Sequence, residues 1–525
     1  MADVCDTEVL IIGAGPTGLT LACDLARRGV AHRIVERGPV PNRATRAKTI
    51  QPRSLEVLDD LGAVDHVLRR GVAELPLRFH EPSGAVVDKP SISARASTSF
   101  HTPYPDALWI GQFDVESALR QRLEELGGRV EFGVEMAGLD QGDDAVAVTL
   151  RTPDGEQTAR ARYVVGADGG RSGTRKHIGL PLVGKTYEQQ RWYLGDVNGP
   201  DLDRGHMHIW PSERGMLGLT PLGSDVWQFQ SPILPGEEPG TPSLEFYQRL
   251  FDERAGHGAV VLKSATWLSA YRVNARMVES YRQGRVLLAG DAAHVHSPAG
   301  GQGMNTGIQD AYNLGWKLAG VLQGAPPALL DTYAAERIPV ARTVLGMSTS
   351  KMIRVMGQVG RGSGDGLGSA LADIGDGAMN SGLGVHYRTS PVNYRHGRAT
   401  SGPVAGDRAP NAGGLEGVAF SGDLFDLMRG PHWSLVVHEH TDPVALDNAE
   451  PHHLRVHRIG PAPGSGLVDA KGEFRRVYRL HPGELILIRP DGYIAARTSV
   501  DQGREADLID HLAPFWPIGN PARPR

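Results

Sequence analysis

Three motifs rich in glycine and aspartate carry the residues best suited to chemistry in this chain. In the first, Gly13, Gly15 and Gly18 stand between a short apolar run ending at Ile12 and a stretch with helical periodicity. The first glycine permits a tight turn, the second lets the backbone approach a pyrophosphate, and the third allows close helix–strand packing. Glu36 closes the next predicted strand, 18 residues beyond Gly18, where a carboxylate can accept both ribose hydroxyls of an adenosine. Because a carboxylate would repel a 2′-phosphate, the motif favours FAD or NAD(H) over NADP(H).

The second motif, GADGGRSGTR, follows a β-branched run that ends at Val165 and contains Asp168 and Arg175. Aspartate caps helices well, so a purely structural role for Asp168 stays open beside a role in nucleotide binding. Arg175 is equally compatible with offsetting phosphate charge and with a solvated position on the surface.

The third motif, GDAAHVHSPAGGQGMN, follows an apolar run that ends at Leu288 and contains Asp291. Its glycines, including Gly301 and Gly303, would let backbone amides come close to a flat ring. We expect a helix from about Asn305, whose positive end would stabilise negative charge on a bound ligand.

The order of the predicted elements indicates an α/β protein with three units. Strand, glycine turn, helix and strand predict a Rossmann-type domain, assigned to residues 1–186 and 272–360. Alternating aromatic and polar residues predict an antiparallel-sheet substrate domain inserted at 187–271. The glycine-rich stretch 361–405 is interpreted as a linker. Residues 406–525 form a third unit, with a hairpin turn at Pro490-Asp491-Gly492.

Composition excludes several classes of protein. The formal net charge of −5 is spread along the chain without the basic stripe of a nucleic-acid surface. No apolar run reaches the roughly 18–20 residues that span a bilayer, so no membrane partner is expected. Two cysteines, Cys5 and Cys23, form no CxxC pair, which favours the reducing cytoplasm. No His/carboxylate cluster has a ligand spacing such as HExxH, so no metal is expected.

The third motif resembles the class A flavoprotein monooxygenases, the para-hydroxybenzoate hydroxylase family, almost without gaps from Gly284 to Leu318. In that family the Gly-Asp carboxylate binds the ribityl chain of FAD, and Asp291 matches it. The Asp-Gly element at Asp168 corresponds to one implicated in holding the FAD pyrophosphate and in NAD(P)H docking. Arg46 and Gln112 match, by spacing, an arginine near FAD and a flavin-contacting glutamine.

The resemblance covers essentially the whole chain and implies one FAD site. Its expected contacts are Gly13, Gly15, Pro16, Thr17, Gly18, Glu36, Arg37, Arg46, Gln112, Asp168, Asp291, Pro298, Gly301, Gly303, Met304 and Asn305. The third unit is similar to the thioredoxin-like C-terminal domain of larger family members. Because no cysteine follows Cys23, it cannot perform dithiol chemistry, and a role in packing or in a homodimer is expected.

The family chemistry implies that NAD(P)H reduces the flavin and that O2 then gives a C4a-hydroperoxide, which transfers oxygen to an activated aromatic or polyketide ring. No second strand–GxGxxG–helix unit exists for the nicotinamide nucleotide, so NAD(P)H is expected to dock transiently. The middle sheet suits a flat apolar ligand because it contains Trp192, Trp210 and Trp227. A general base that deprotonates a phenol would help. The candidates, each more simply explained as an ordinary core or surface residue, are Tyr193, His206, His208, Tyr271, Arg272, His294 and His296.

Two alternatives remain open from the sequence. The same scaffold performs Baeyer–Villiger oxidation or epoxidation of polyketides, and the motifs do not separate these outcomes from hydroxylation. A protein of another class could bind FAD without turnover. The intact glycines of the flavin loop argue only weakly against that alternative.

Overall fold

The computed structural model describes residues 6–91, 96–223, 225–234, 236–297, 301–358, 377–394, 401–440, 454–460, 466–500 and 502–515. The expected strand–turn–helix–strand unit lies at the centre of its first sheet. Strand β1 (Thr7–Ile12) pairs in parallel with β2 (His32–Glu36) and with β10 (Gly155–Gly166). Helix α1 (Pro16–Arg27) joins β1 to β2 and begins with a proline, whose missing N–H costs nothing in the first turn.

This first sheet has eight strands. The remaining five are β7 (Val130–Phe132), β8 (Glu135–Gln141), β9 (Val146–Thr152), β16 (Arg282–Gln283) and β17 (Val286–Leu288). The order is β16-β17-β10-β1-β2-β7, and β9 pairs with both β10 and β8. Strands β1, β2, β10 and β17 run parallel, so their carboxyl ends meet at one edge. All three motifs follow strands at that edge, where α/β proteins bind nucleotides.

Helices cover this sheet and its surroundings. They are α2 (Pro52–Asp60), α3 (Val64–Leu68), α4 (Gln112–Glu125), α5 (Gly173–His177), α6 (Leu244–Ala255), α7 (Gln302–Leu322) and α8 (Ala328–Gln358), with 3-10 turns at Thr98–Phe100 and Gly290–Ala292. Helix α1 packs against α7 and α4. Helix α7 begins at Gln302, one turn before the expected Asn305, so its N-terminus lies directly in the third motif.

The second sheet uses more of the chain than the expected range 187–271. Strands β11 (Val183–Asn198) and β15 (Ser264–Met277) pass that range at both ends. Strand β4 (Leu77–His80), from the N-terminal part, pairs in parallel with β12 (Met207–Ser212). The other strands are β5 (Val86–Lys89), β13 (Gly215–Leu222), β14 (Val226–Ile233) and β18 (His294–Val295). The order is β18-β15-β11-β14-β13-β12-β4-β5.

The two faces of this second sheet have different partners. On one face Tyr193 and Phe229 pack with Tyr247 and Phe251 of α6. Because side chains alternate along a strand, the neighbouring residues of the same strands point to the opposite face. That face covers the cavity described below. A short sheet of β3 (Thr49–Ile50) and β6 (Leu108–Trp109) lies beside it.

The C-terminal unit contains a seven-stranded mixed sheet. Strand β21 (Trp433–His438) is parallel to β22 (Leu454–Gly460) and antiparallel to β24 (Glu484–Ile488). The expected hairpin joins β24 to β25 (Ile494–Ser499). The other elements are β19 (Leu415–Gly417), β20 (Phe420–Gly422), β23 (Leu467–Asp469), α9 (Leu424–Met428), α10 (Glu473–Tyr478) and α11 (Gln502–Leu512). This sheet is consistent with a thioredoxin-like unit, and the α/β fold class is confirmed.

The stretch expected to be a linker is only partly described, and its described portion is packed. Within 377–394, Asn380, Tyr387, Ser390 and Tyr394 are buried. Residues 361–376 and 395–400 lie outside the described residues. Within the described ranges, none of the helices combines the length and the apolar character needed to cross a bilayer. In the same part of the chain, no group of His, Cys, Asp or Glu side chains is arranged to hold a metal ion.

Candidate cofactor and substrate cavity

All three motifs meet at one cavity of about 1060 Å³. It extends from the carboxyl edge of the first sheet to the cavity-facing side of the second. Ordinary ligand pockets measure about 300–1,000 Å³. The volume therefore leaves space for a large cofactor and a second molecule beside it.

The glycines of the first motif have distinct structural tasks. Gly13 has φ +104°, and a Cβ there would meet the Ala167 carbonyl oxygen at 2.5 Å. A Cβ on Gly18 would collide with the Gly13 carbonyl oxygen, so Gly18 maintains the packing of α1 on β1. A Cβ on Gly15 would meet nothing within 4 Å, because this glycine borders the open cavity. Of these three glycines, Gly15 is the one at which the fold itself leaves room for a Cβ.

Glu36 lies at the end of β2, as expected, and lines the cavity. Its two carboxylate oxygens accept hydrogen bonds from the Ala14 and Gly38 N–H groups, each at 3.0 Å. An ionised carboxylate has about four acceptor positions, so it can still receive ribose hydroxyls. Arg37, the next residue, is exposed and also lines the cavity.

Asp168 borders the cavity but uses its carboxylate to cap α5. One oxygen accepts the Ser172 hydroxyl at 2.5 Å, and the other accepts the Thr174 N–H at 3.0 Å. Arg175 is buried rather than solvated and donates to the Gly170 and Ala292 carbonyl oxygens. Arg175 therefore joins the second motif to the third, whereas Asp168 holds the turn before α5, and the expected contact of Asp168 with the cofactor stays a prediction.

The third motif presents an unpaired carboxylate and a helix N-terminus to the cavity. Asp291 is exposed to it and makes no side-chain hydrogen bond to another described residue. Gly301, with φ +62°, caps α7, and Gly303 and Met304 form the floor beside it. A Cβ on Gly303 would stand 3.6 Å from the His296 ring, in ordinary contact. The arrangement offers a hydroxyl acceptor and positive backbone dipole to one ligand.

Two expected contacts of this loop have a different outcome. Asn305 is fully buried and is not part of the cavity wall. Its amide donates to the Thr49 and Gly301 carbonyl oxygens, and its oxygen accepts the Gln51 N–H. These hydrogen bonds hold the start of α7 to the glycine loop and to the end of β3, and the expected contact of Asn305 with FAD stays a prediction. Pro298 lies outside the described residues.

Arg46 and Gln112 both line the cavity. Gln112 begins α4 and donates to the Glu116 carboxylate at 2.8 Å. Burial raises the pKa of Glu116 to about 7, although the Gln112 hydrogen bond opposes that shift. No pattern in the sequence indicated this buried carboxylate.

Most candidate bases are occupied elsewhere. His294 is fully buried outside the cavity wall, with Nε2 2.7 Å from Asp310. Arg272 is exposed and pairs with Glu188 at 2.7 Å. Tyr193 packs on the α6 side, where its hydroxyl accepts the Gly240 N–H. These three side chains have other partners, so the geometry lends no support to any of them as the base, and the face on which each lies could not be read from its neighbours in sequence.

His208 of β12 and His206, the residue before that strand, also lie outside the cavity wall. His206 lies 2.6 Å from Asp203, and His208 lies 2.9 Å from His80. Neither lines the cavity. The geometry therefore lends no support to either of them as the base.

His296 and Tyr271 are the candidates that the structure leaves at the cavity. His296 Nε2 and the Tyr271 hydroxyl are buried and have no hydrogen-bond partner in the described part of the chain. Burial, with the nearby His294 ring, lowers the pKa of His296, so its imidazole is neutral near pH 7. Burial raises the pKa of Tyr271 well above its usual range, which makes it a donor rather than a base.

The half of the cavity that lies away from the nucleotide motifs is wide and largely apolar. Most of the residues in its wall belong to none of the three sequence motifs. Its wall residues are Trp109, Trp192, Met207, Met216, Trp267, Met352 and Val355. Trp192 lies here as expected, whereas Trp210 and Trp227 belong to the α6 side. Lys48, Gln228 and Gln230 add polar groups to the wall. Such a surface suits a flat ligand with several oxygens.

The donor set fits FAD. One cavity is lined by an open backbone at Gly15 for a pyrophosphate, by carboxylate acceptors at Glu36 and Asp291 for ribose and ribityl hydroxyls, and by the α7 N-terminus for a ring. The flavin would then supply redox chemistry at the far, apolar end.

Comparisons with known proteins agree with this geometry. A family model described as FAD binding domain matches residues 6–348, more than half of the chain. A flavin-dependent monooxygenase from Mycobacteroides abscessus is 39% identical over 96% of this chain and 99% of its own length. The 6-methylpretetramide 4-monooxygenase of Streptomyces rimosus is 35% identical over 93% and 90% of the two chains.

A solved structure that contains bound ligands is also similar to this chain. The ternary complex of aklavinone-11 hydroxylase with FAD and aklavinone has a TM-score of 0.82 and 27% identity. The match covers 98% of this chain and 99% of that one. The likeness therefore includes the C-terminal unit as well as the cavity domains.

Proposed function

This chain belongs to the FAD-binding-domain family of flavin-dependent monooxygenases, and from that premise we propose that it hydroxylates a phenolic ring of an aromatic or aromatic-polyketide substrate. The observation that carries the proposal is the single cavity that joins the nucleotide motifs to a wide apolar chamber. Named relatives that act on 6-methylpretetramide or bind aklavinone support a fused-ring substrate.

When bound and reduced by NAD(P)H, FAD would supply the activation of O2 and the oxygen that the ring receives. The protein's own residues bind, orient and exclude water. Gly15, Glu36 and Asp291 hold the cofactor, while Met304 and the α7 N-terminus support its ring. Trp109 and Trp192 flank the substrate. The neutral imidazole of His296 can accept a proton that is released during the reaction.

The test is spectroscopic and chemical. Purified protein loaded with FAD should absorb near 450 nm, bleach with NAD(P)H without air, and recover the absorbance with O2. A panel of phenols and fused-ring polyketides is then scored for NAD(P)H oxidation and product mass. A gain of one oxygen on a ring supports hydroxylation. NAD(P)H oxidation that yields only peroxide across the panel, or a protein that cannot be loaded with FAD, would contradict the proposal.

Baeyer–Villiger oxidation is the second candidate, because the same cavity would accept a cyclic ketone. A lactone product in the panel would favour it over hydroxylation. Retention of FAD without any NAD(P)H oxidation would instead favour a non-catalytic FAD-binding protein.

A further inference from the structure

Lys48 is an unusual residue for the wall of an apolar chamber. It lies between the flavin motifs and the second sheet and lines the cavity. No carboxylate of the described residues forms an ion pair with its Nζ. Lys48 is half-buried, and an ammonium that is partly withdrawn from solvent without such a partner loses hydration. Because no described carboxylate neutralises the Lys48 ammonium, we expect a negatively charged ligand group to do so.

The segment before Lys48 is fixed to the second sheet by its backbone. The Thr45 N–H donates to Asp196 of β11 at 2.6 Å, and Gln228 of β14 donates to the Thr45 carbonyl at 2.5 Å. The Lys48 carbonyl accepts the Ile110 N–H at 3.0 Å. Lys48 thus starts from a rigid position rather than from a mobile loop.

The Lys48 side chain contacts two strands of the second sheet, β13 and β14. Its Nζ donates to Gln230 Oε1 at 2.8 Å and lies 3.1 Å from Thr220 Oγ1. An ammonium has three donors, so one remains for a ligand. The Thr220 hydroxyl can accept from the ammonium or donate to a neutral amine, which lets the site hold either protonation state. The Trp109 ring centroid is 5.9 Å from Nζ.

Burial lowers the pKa of Lys48 to about 7. The other titratable groups around this end of the cavity are Arg46, Asp196, Tyr271 and His296. Burial raises the pKa of Asp196 to about 6, and one of its oxygens already accepts the Thr45 N–H. Arg46 carries positive charge of its own. None of these groups supplies a counter-ion to Nζ in the described structure.

We propose that Lys48, with Gln230 and Thr220, forms a subsite for an ionised oxygen of the substrate, a phenolate or an enolate, and that the Lys48 amine receives the proton of that oxygen. This inference rests on the proposed function and narrows its substrate to compounds with an acidic hydroxyl. The hydroxyl O–H bond breaks, an N–H bond forms on Nζ, and the electron pair stays on oxygen. The neutral pair becomes an ion pair without a change of net charge. A phenolate is more electron-rich than a phenol, which favours attack on an electrophilic oxygen.

The first test measures the ionisation of a bound phenol in the FAD-loaded protein. The probe is 2-naphthol, which is neutral in water near neutral pH and changes its absorption when ionised. The variants are Lys48→Met, Lys48→Arg and the control Lys185→Met, since Lys185 is exposed on the same sheet. We expect the ratio of ionised to neutral bound probe to be at least tenfold higher on wild type, K48R and K185M than on K48M.

Proton release separates a proton acceptor from a fixed charge. Above pH 7 the wild-type amine would take up the proton of 2-naphthol, so little acid should reach the solvent. Arginine stays charged, so K48R should release close to one proton per bound probe. Calorimetry in buffers of different ionisation enthalpy measures this number.

The results with 2-naphthol test the Lys48 subsite and the proposed hydroxylase function separately. A probe bound neutral on wild type, or ionised equally on K48M, overturns the Lys48 subsite but leaves the hydroxylase proposal intact. Failure of the wild-type holoenzyme to bind 2-naphthol or any fused-ring phenol of the panel contradicts the aromatic chamber, and the subsite falls with it.

Thermal unfolding gives a readout that needs no ligand. Because an ammonium without a counter-ion is costly to bury, K48M should unfold at a higher temperature than wild type at pH 6. The unfolded chain holds its lysine proton up to a higher pH than the folded protein, so the difference should shrink as pH rises above about 7. A lower unfolding temperature for K48M at every pH would show that Lys48 serves the fold, and would overturn the proposal.

Discussion

Asp291 is the residue whose charge has the clearest ligand role. It is exposed in the cavity, and no described residue pairs with it. Replacing it with alanine should leave the fold unchanged and remove a charge-assisted hydrogen bond to a ribityl hydroxyl. Such bonds contribute about 1.5–3 kcal/mol, so FAD should bind roughly 10- to 100-fold more weakly.

Fluorescence of released flavin measures the dissociation constant of D291A. Asp331, which pairs with Arg282 on the surface, gives the control Asp331→Ala. Equal FAD retention in D291A and D331A would contradict the ribityl assignment.

Glu116 should make stability depend on pH in a defined window. Burial raises its pKa from 4.5 to about 7. Between these values the folded protein holds a proton that the unfolded chain has released, so stability falls as pH rises and the loss is complete above pH 7. Glu116→Gln should therefore match wild type near pH 4.5 and exceed it by up to about 3 kcal/mol above pH 7.

Urea unfolding of the FAD-free protein across this range tests the Glu116 prediction. Glu124→Gln, an exposed change on the same helix, should show no such rise. A pH-independent difference between E116Q and wild type would mean that the carboxyl is ionised throughout.

At the scale of elements, the glycine motif separates the requirements of the fold from those of the ligand. Ala is tolerated at Gly15, where φ is −74° and an added Cβ would meet no atom within 4 Å. Ala at Gly18 collides with the β1–α1 turn. We expect Gly15→Ala to fold normally but to lose FAD affinity, because its methyl group enters the space of the pyrophosphate.

Gly18→Ala should lose both stability and FAD. Measuring the free energy of unfolding and the FAD dissociation constant of G15A and G18A tests both predictions. A stable G18A, or a G15A that binds FAD like wild type, would contradict the division of tasks.

The strands that precede the three motifs could be predicted from the sequence. Each contains a run of apolar residues that ends clearly at a glycine. Other elements could not be predicted. Strand β4 joins the second sheet through pairing with β12, more than a hundred residues away, and periodicity carries no information about such partners. Residues 377–394 were interpreted as part of a linker because their glycine-rich surroundings concealed buried apolar residues, Val385, Tyr387 and Val392, whose packing partners are distant in sequence.

The candidate site shows the same limit. Glycines and Asp291 were predictable because their types are demanded by backbone geometry and ligand charge. Lys48 and Glu116 were not, since each owes its significance to burial by distant strands and helices. His294 carried the correct residue type but points away from the cavity, towards Asp310.

At the scale of the whole molecule, a buried polar network joins the C-terminal unit to the helix that begins at the flavin loop. Glu336 of α8 accepts from Arg489 at 2.6 Å and from Lys317 of α7 at 2.7 Å. Asp491, in the turn between β24 and β25, accepts from Trp316 of α7 and from Arg489. Burial opposes ionisation of Glu336, but Arg489 and Lys317 outweigh it and hold the pKa of that carboxyl well below its usual range.

This network should behave as one unit whose failure spreads to the flavin site. Glu336→Gln leaves Lys317 without a carboxylate partner among the described residues and Arg489 with Asp491 alone, and breaking a buried pair costs about 3–5 kcal/mol. The matched change Glu135→Gln removes an exposed partner of Arg151 and should cost less than about 1 kcal/mol. Because α7 carries both the network and the flavin loop, FAD release should move to lower urea concentration together with unfolding of E336Q. Release of FAD at the wild-type concentration, with only the C-terminal unit destabilised, would show that the two regions unfold independently.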